Sequence, residues 1–324
     1  MIKLVSKVGR LVLPIFIIIC SACFFGCETR INLIVINDGE FSVHFLDVGE
    51  GDSILINFPD GKIMLIDSGN TDEAVEEYLL SCIKSTGKKQ IDYLVITHPD
   101  ADHVGNMKKV VETFTVKTAF VPDIRLPDRF PLFSEVLSAL TEDNASIIKS
   151  DYWQSIKTDE YLVAFLSPTP LGESGSSYNG INASDYPSSQ AINDVSPIIY
   201  LECRGKRFLF TGDAGVSQEN LVMENRIVGA YDLMYGKGVI KLEDIDVLKV
   251  AHHGANGSSS EKFLNIIKPK NAVISVGKNN YAHPSSDVLE CLVKVNPTVN
   301  LLRTDVKGSI SMRISSDFML KIDD

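Results

Sequence analysis

Residues Thr97-His98-Pro99-Asp100-Ala101-Asp102-His103-Val104-Gly105 decide how the rest of the chain is read. They close Tyr93–Thr97, a short apolar run with the character of a buried strand. Two imidazoles and two carboxylates so near one another are costly to hold at such a strand end. Metal coordination relieves both the desolvation and the carboxylate repulsion. A solvated loop with an N-cap at Asp100 or Asp102 would need neither histidine. In a loop, the H-x-D-x-D-H spacing can send His98 and Asp100 one way and Asp102 and His103 the other. That suits two adjacent ions.

Three further motifs sit at comparable places. Phe210-Thr211-Gly212-Asp213-Ala214 ends an apolar strand, where Asp213 can bridge two ions or cap a helix starting near Val216. Leu248-Lys249-Val250-Ala251-His252-His253-Gly254 ends another. Adjacent histidines on a turn point different ways, so one is expected as a ligand and the other as an orienting or hydrogen-bonding group. Asp47–Ser53 and Leu65–Gly69 each place acidic residues at glycine-containing turns. Asp52, Ser258 and His283 are candidate substrate-binding residues, His283 either lining a pocket or capping a helix. His44, on a strand face, is expected to be structural.

Around these motifs the elements repeat. Phe41–Leu46, Ser53–Phe58 and Ile63–Ile66 read as strands, with Pro59-Asp60-Gly61-Lys62 as a hairpin turn, and Leu33–Ile36 as a further strand. Residues 72–84 and 104–114 read as helices. A second hairpin, Pro197–Glu202 with Arg207–Thr211, precedes strands Asp246–Ala251 and Ala272–Val276 and helices Glu261–Ile267 and Ser286–Val295. Hairpins followed by strand–helix alternation, twice over, predict two packed sheets with helices outside. Residues 171–193, rich in Gly, Ser and Asn, read as a long surface loop. No linker divides the body, so 40–324 is expected to be one domain behind a short linker or edge strand at 28–39.

Composition narrows the function. The 324 residues carry 31 Lys+Arg against 42 Asp+Glu, a net charge of −11, with 44% hydrophobic residues. A disordered tail, a collagen-like fibre and a polytopic membrane protein are excluded. An acidic chain does not hold nucleic acid mainly by its own surface, so a phosphate substrate needs a local cation, which a metal supplies. The N-terminus differs from the body. Lys3, Lys7 and Arg10 precede the uncharged, mostly apolar run Leu11–Cys27. That pattern is a signal segment at 1–27. Cys20, Cys23 and Cys27 behind small residues resemble the lipobox of bacterial lipoproteins, with Cys27 or Cys23 as the lipidated residue; an uncleaved signal anchor is the alternative. Both readings export the body to the bacterial surface and tie it to the membrane. Cys82, Cys203 and Cys291 are scattered and read as small buried hydrophobes.

Together the motifs resemble the metallo-β-lactamase superfamily, in particular the soluble domain of ComEC-type DNA-uptake proteins. The resemblance spans residues 40–316 through Phe45–Ser53, "LIDSG", "THPDADHVGN", "LFTGDA", "KVAHHG" and Ala272–Pro284. It implies an α/β fold, an αββα four-layer sandwich of two mixed sheets packed face to face with helices outside. Carried over, His98 and Asp100 look like ligands of a first ion and Asp102 and His103 of a second, with Asp213 bridging. His252 or His253 completes the second site; His252 is taken as the ligand and His253 as the catalytic partner, with Asp102 orienting water. The superfamily's third first-site histidine is absent, and its place falls at Asn193-Asp194-Val195-Ser196, making Asn193 a catalytic candidate. This oxygen-rich set suits one or two divalent ions, Zn²⁺ or Mn²⁺. A water on such ions has its pKa lowered from about 15.7 to about 7, which provides hydroxide at neutral pH. The implied activity is an exported metal-dependent hydrolase, a phosphodiesterase or nuclease acting on DNA. The alternatives are an envelope phosphoesterase of the teichoic acid or phosphorylcholine type, and a non-catalytic metal-binding surface module.

Overall fold

A computed structural model describes residues 39–124, 129–150, 154–168 and 189–323. The expected signal segment, nearly all of the linker with Leu33–Ile36, and the loop up to residue 188 lie outside them. Among the described residues no helix is long and apolar enough to cross a membrane.

Strands β1 (Phe41–Phe45), β2 (Ile54–Asn57) and β3 (Ile63–Ile66) form an antiparallel meander, to which β4 (Gln90–Val95), β5 (Thr115–Val121) and β6 (Ser146–Lys149) add in parallel. The second sheet begins with antiparallel β7 (Ser155–Lys157), β8 (Tyr161–Phe165), β9 (Ile199–Cys203) and β10 (Lys206–Phe210). It continues in parallel with β11 (Val247–Lys249), β12 (Asn271–Ile274) and β13 (Asn300–Arg303). The chain then returns to the first sheet as β14 (Ile310–Ile314), paired with β1, and β15 (Leu320–Ile322). The two orders are β15-β14-β1-β2-β3-β4-β5-β6 and β13-β12-β11-β10-β9-β8-β7.

Period-two patterning explains the face-to-face packing. Phe41, Val43 and Phe45 of β1 point between the sheets, where Phe41 meets Phe208 at a ring separation of 5.3 Å. His44 points to the opposite face, and its two ring nitrogens pair with the hydroxyls of Ser311 (2.7 Å) and Ser42 (2.9 Å). Burial holds its pKa down at about 4. It is a neutral, satisfied structural histidine, as expected.

Helices cover both outer faces. Over the first sheet lie α1 (Glu73–Ser85), α2 (Ala101–Val104), α3 (Met107–Thr113) and α4 (Pro131–Glu142), burying Leu79, Ile83, Val110 and Leu140 against Leu65 and Leu94. Beyond α5 (Ser189–Asn193), the second sheet is covered by α6 (Val216–Ile227), α7 (Ala230–Tyr235), α8 (Glu261–Ile267) and α9 (Ser286–Val295). These are the four layers predicted from the sequence.

Two local expectations are corrected. The helix read over 104–114 is broken into α2 and α3. Gly105 lies so close to the loop at 69–71 that a Cβ there would stand 2.2 Å from the Thr71 nitrogen. Asn106 follows it and donates its side-chain amide to the carbonyls of Ser68 (3.1 Å) and Asn70 (2.7 Å). Tertiary contact thus overrides helical periodicity. The end of the predicted loop, Ser189–Asn193, is helical.

Candidate metal centre

The parallel strands β4, β11 and β12 deliver their C-terminal ends, and β10 its own, to one edge of the sandwich, where crevices of open α/β sheets form. His98 follows β4 and is fully buried; His103 is buried on α2, with its ring 4.0 Å from that of His98. Asp213 follows β10 and is 2% exposed. His252 and His253 follow β11, both with left-handed backbone (φ 51° each). Such geometry costs about 1–3 kcal/mol per residue and persists where surrounding contacts enforce it. Here the His252 nitrogen donates to Gly212 O (3.0 Å) and the Ala255 nitrogen to His252 O (2.7 Å). The double inversion turns His253 inward and leaves the His252 side chain 27% exposed in the cleft.

Asp102, His103, Asp213 and His253 offer one atom each within 4.8 Å of one another. His103 Nε2 stands 3.3 Å from Asp213 Oδ1, and His253 Nε2 3.3 Å from Asp102 Oδ2. Asp213 Oδ2 lies 3.7 Å from the Nε2 atoms of His253 and His252 and 3.8 Å from that of His98, which is also 3.8 Å from Asp100. Ligand atoms of a tetrahedral ion with bonds of about 2.1 Å stand about 3.4 Å apart, so these gaps match. The buried atoms His98 Nε2, His103 Nε2, His253 Nε2, Asp213 Oδ1 and Asn193 Oδ1 have no hydrogen-bond partner. Orphaned polar atoms are expensive unless something binds them. The residues present therefore fit a metal.

The other imidazole nitrogens are fixed from behind, as ligands require. His103 Nδ1 pairs with Asp67 Oδ2 (2.8 Å), and Asp67 also accepts from the Thr97 nitrogen (2.9 Å) and hydroxyl (2.7 Å). His253 Nδ1 donates to Ser275 O (2.8 Å). His98 Nδ1 sits 3.0 Å from Thr97 Oγ1 and 3.3 Å from Ser196 Oγ.

The electrostatics call for cations. Burial pushes Asp213 up, but His103, His253 and His98 hold it well below the usual carboxylate range. Burial opposes charge on His103, yet Asp213, Asp102 and Asp67 raise it well above an ordinary imidazole. Burial, with Asp102 next, raises Asp100 to about 6, and burial lowers His98 to about 3. Beneath the cluster lies fully buried Lys249, ion-paired with Asp52, donating to Gly212 O (3.0 Å) and 3.9 Å from Asp213 Oδ1.

A cavity of about 320 Å³ opens over the cluster, lined by Glu50, Asp100, Asp102, Ser189, Asn193, Asp213, His252, His253, Tyr281 and His283. His283 thus lines the pocket; α9 is capped by Ser285 instead. Asp52 and Ser258 are placed elsewhere than expected for substrate contacts. Asp52 is 1% exposed beneath the cluster. Ser258 is buried under the His252–His253 turn, its hydroxyl bonded to Ala251 O and Ala255 O (3.0 Å each). Cys23 and Cys27 lie outside the described residues. The sequence assigned no role to Lys249, Asp67, Glu50 or Tyr281, although each lies within one of the motifs quoted above.

The family model described as Metallo-beta-lactamase superfamily matches residues 46–160 and 196–278, which hold the whole four-residue cluster. The chain is 29% identical over 291 residues to ComE operon protein 3 of Bacillus subtilis (strain 168), covering 85% of this chain and 33% of that protein. It is 27% identical over 275 residues to Competence protein ComA of Neisseria gonorrhoeae, covering 84% of this chain and 32% of that one. It therefore spans about a third of the length of these relatives. Among solved structures, a mutant of CmlA beta-hydroxylase matches with a TM-score of 0.51 at 13% identity, covering 86% of this chain and 55% of that one. That is a likeness of fold.

Proposed function

Because the chain belongs to the metallo-β-lactamase superfamily, we propose that it is a metal-dependent phosphodiesterase that cleaves nucleic acid outside the cell, held at the membrane by its N-terminus. The observation that carries the reading is the convergence of three unpartnered histidine Nε2 atoms on the Asp213 carboxylate. The similarity to ComE operon protein 3 and Competence protein ComA supports nucleic acid as the substrate.

In this reading Asp102, His103, Asp213 and His253 hold one divalent ion, and His98, Asp100 and the same Asp213 hold the other. His253 thus takes the ligand place and His252 the open one. Divalent ions held there, zinc or manganese, supply Lewis acidity toward a phosphoryl oxygen and acidify water. Asp102, whose side chain is 29% exposed, orients the attacking water. His252, beside the Asn193 amide nitrogen at 3.3 Å, faces the cavity and hydrogen-bonds the phosphate. The acidic surface is no obstacle, since bound dications dominate the local field.

The test is a substrate panel at matched zinc or manganese. Single-stranded DNA and bis-p-nitrophenyl phosphate are expected to be hydrolysed, and a chelator to abolish both activities. Turnover of phosphorylcholine esters alone would assign the site to envelope chemistry. Metal binding without turnover of any member would leave a non-catalytic module.

Membrane attachment is tested separately. Its motive is the basic and then apolar start with Cys23 and Cys27 near its end. Replacing both cysteines with serine is expected to abolish incorporation of a labelled fatty acid. A parent chain that never incorporates the label would leave the signal anchor as the means of attachment.

A further inference from the structure

The loop from Gly277 to Pro284 is tied down at many points, yet it leaves a large ring in solvent. The Asn279 side-chain oxygen accepts from the nitrogens of Tyr281 (3.0 Å) and His283 (3.1 Å), and its amide donates to Gly277 O and His283 O (3.0 Å each). Glu50 locks the loop from the facing turn: Oε1 takes His283 Nδ1 (3.1 Å) and Oε2 accepts from the Gly277 nitrogen (3.0 Å). Gly277 approaches so closely that a Cβ would stand 2.3 Å from the Gly49 backbone. On this scaffold Tyr281 is 76% exposed at the lip of the cleft. Its ring stacks on His283 (5.6 Å, 30°), and His283 packs edge-on against His252 (5.4 Å, 71°). A row of rings therefore leads from the candidate metal cluster to the rim.

We propose that Tyr281, backed by His283, is a stacking platform for an unpaired nucleobase next to the phosphodiester in the cleft, and that it makes the protein select single strands over duplex. The inference rests on the nuclease reading of the same site. An aromatic face takes any base, whatever its sequence, whereas a duplex keeps its base faces against one another. The competing ligand chemistry is a quaternary ammonium. It is met best by a cage of rings, and both oxygens of Glu50, the carboxylate that holds this loop, are already engaged by His283 and Gly277.

The experiment uses the full chain loaded with zinc or manganese. Parent, Tyr281→Ala and Tyr281→Phe are each given a short oligothymidylate and the same backbone with abasic sugars. Stacking of one base corresponds to a difference on the order of tenfold. The parent KM is expected to be about tenfold lower for the thymidylate strand than for the abasic one. Tyr281→Ala should close most of that gap with kcat within about twofold, and Tyr281→Phe should keep it. Binding is read independently from quenching of 2-aminopurine placed in the strand. Quenching by the parent that is lost in Tyr281→Ala, without cleavage, would keep the platform and remove the nuclease reading. Cleavage with equal KM on both strands, or a parent-like KM in Tyr281→Ala, would overturn the platform and keep the nuclease. Binding of phosphorylcholine esters that depends on Tyr281 would give the ring to a quaternary ammonium and overturn the proposal. Neither binding nor cleavage of any strand would overturn both.

Discussion

Asp213→Asn is expected to lose at least one bound ion and to lower the phosphodiesterase rate by on the order of 10³-fold or more. Among the described residues, Asp213 alone reaches both halves of the site: Oδ1 faces His103 at 3.3 Å, and Oδ2 lies 3.7–3.8 Å from His253, His252 and His98. Two dications held about 3.5–4 Å apart need negative charge between them. An amide keeps the size of the side chain but not that charge. The fold is expected to persist, because Asp213 sits at a strand end beside the cleft and its backbone nitrogen still donates to Ser196 Oγ (3.3 Å). Metal analysis, circular dichroism and specific rate on one preparation check the prediction. His44→Gln is the control, since His44 is bonded to two serine hydroxyls away from the cleft; its rate should stay within a few-fold of the parent. Parent-like metal content and rate in folded Asp213→Asn would place the chemistry elsewhere.

How much of this was legible in the chain depended on whether the signal was local. The cluster His98, Asp100, Asp102, His103 could be read because four residues of ligand type crowd one strand end, and no other use explains both histidines. The layering could be read because hairpins and strand–helix alternation leave period-two and helical signatures. The pairing of β1 with β14, which brings the C-terminal strands onto the first sheet, could not be read in this way: Phe41 meets Ile314 across most of the chain. The roles of His252 and His253 depend on two left-handed backbone conformations that no side-chain pattern announces. The break at Gly105 required knowing that the loop at 69–71 packs on it. Ser258, expected as a substrate-binding residue, instead has its hydroxyl engaged in bracing the histidine turn. Lys249 was the least visible, because a lysine at the end of an apolar strand reads as the residue that meets solvent.

Lys249 carries the second large effect, on stability. Asp52 comes from the loop after β1 in the first sheet and Lys249 from β11 in the second, so their ion pair joins the two sheets directly beneath the cluster. Both are essentially without solvent exposure. Lys249→Met keeps the length of the side chain and removes the ammonium. It leaves the Asp52 carboxylate buried with only His253 Nδ1 (3.8 Å) and His103 Nδ1 (3.9 Å) as distant cationic partners. Breaking one side of a buried pair costs about 3–5 kcal/mol. For a domain of this size that is a fall in Tm on the order of 10 °C. Asp52→Asn in the same chain removes the stranded charge, so the double variant should recover much of the loss; the coupling is read from a double-mutant cycle. Measured in the presence of a chelator, the cycle reports the pair and not the metal. A single variant as stable as the parent, or a double variant no better than Lys249→Met, would show that the lysine holds something other than Asp52. If the pair behaves as expected, the ammonium that is ion-paired with Asp52 stands 3.9 Å from Asp213 Oδ1, behind a cluster of carboxylates. That charge offsets part of their repulsion before any metal binds, and so lets the two sheets close over an anionic site.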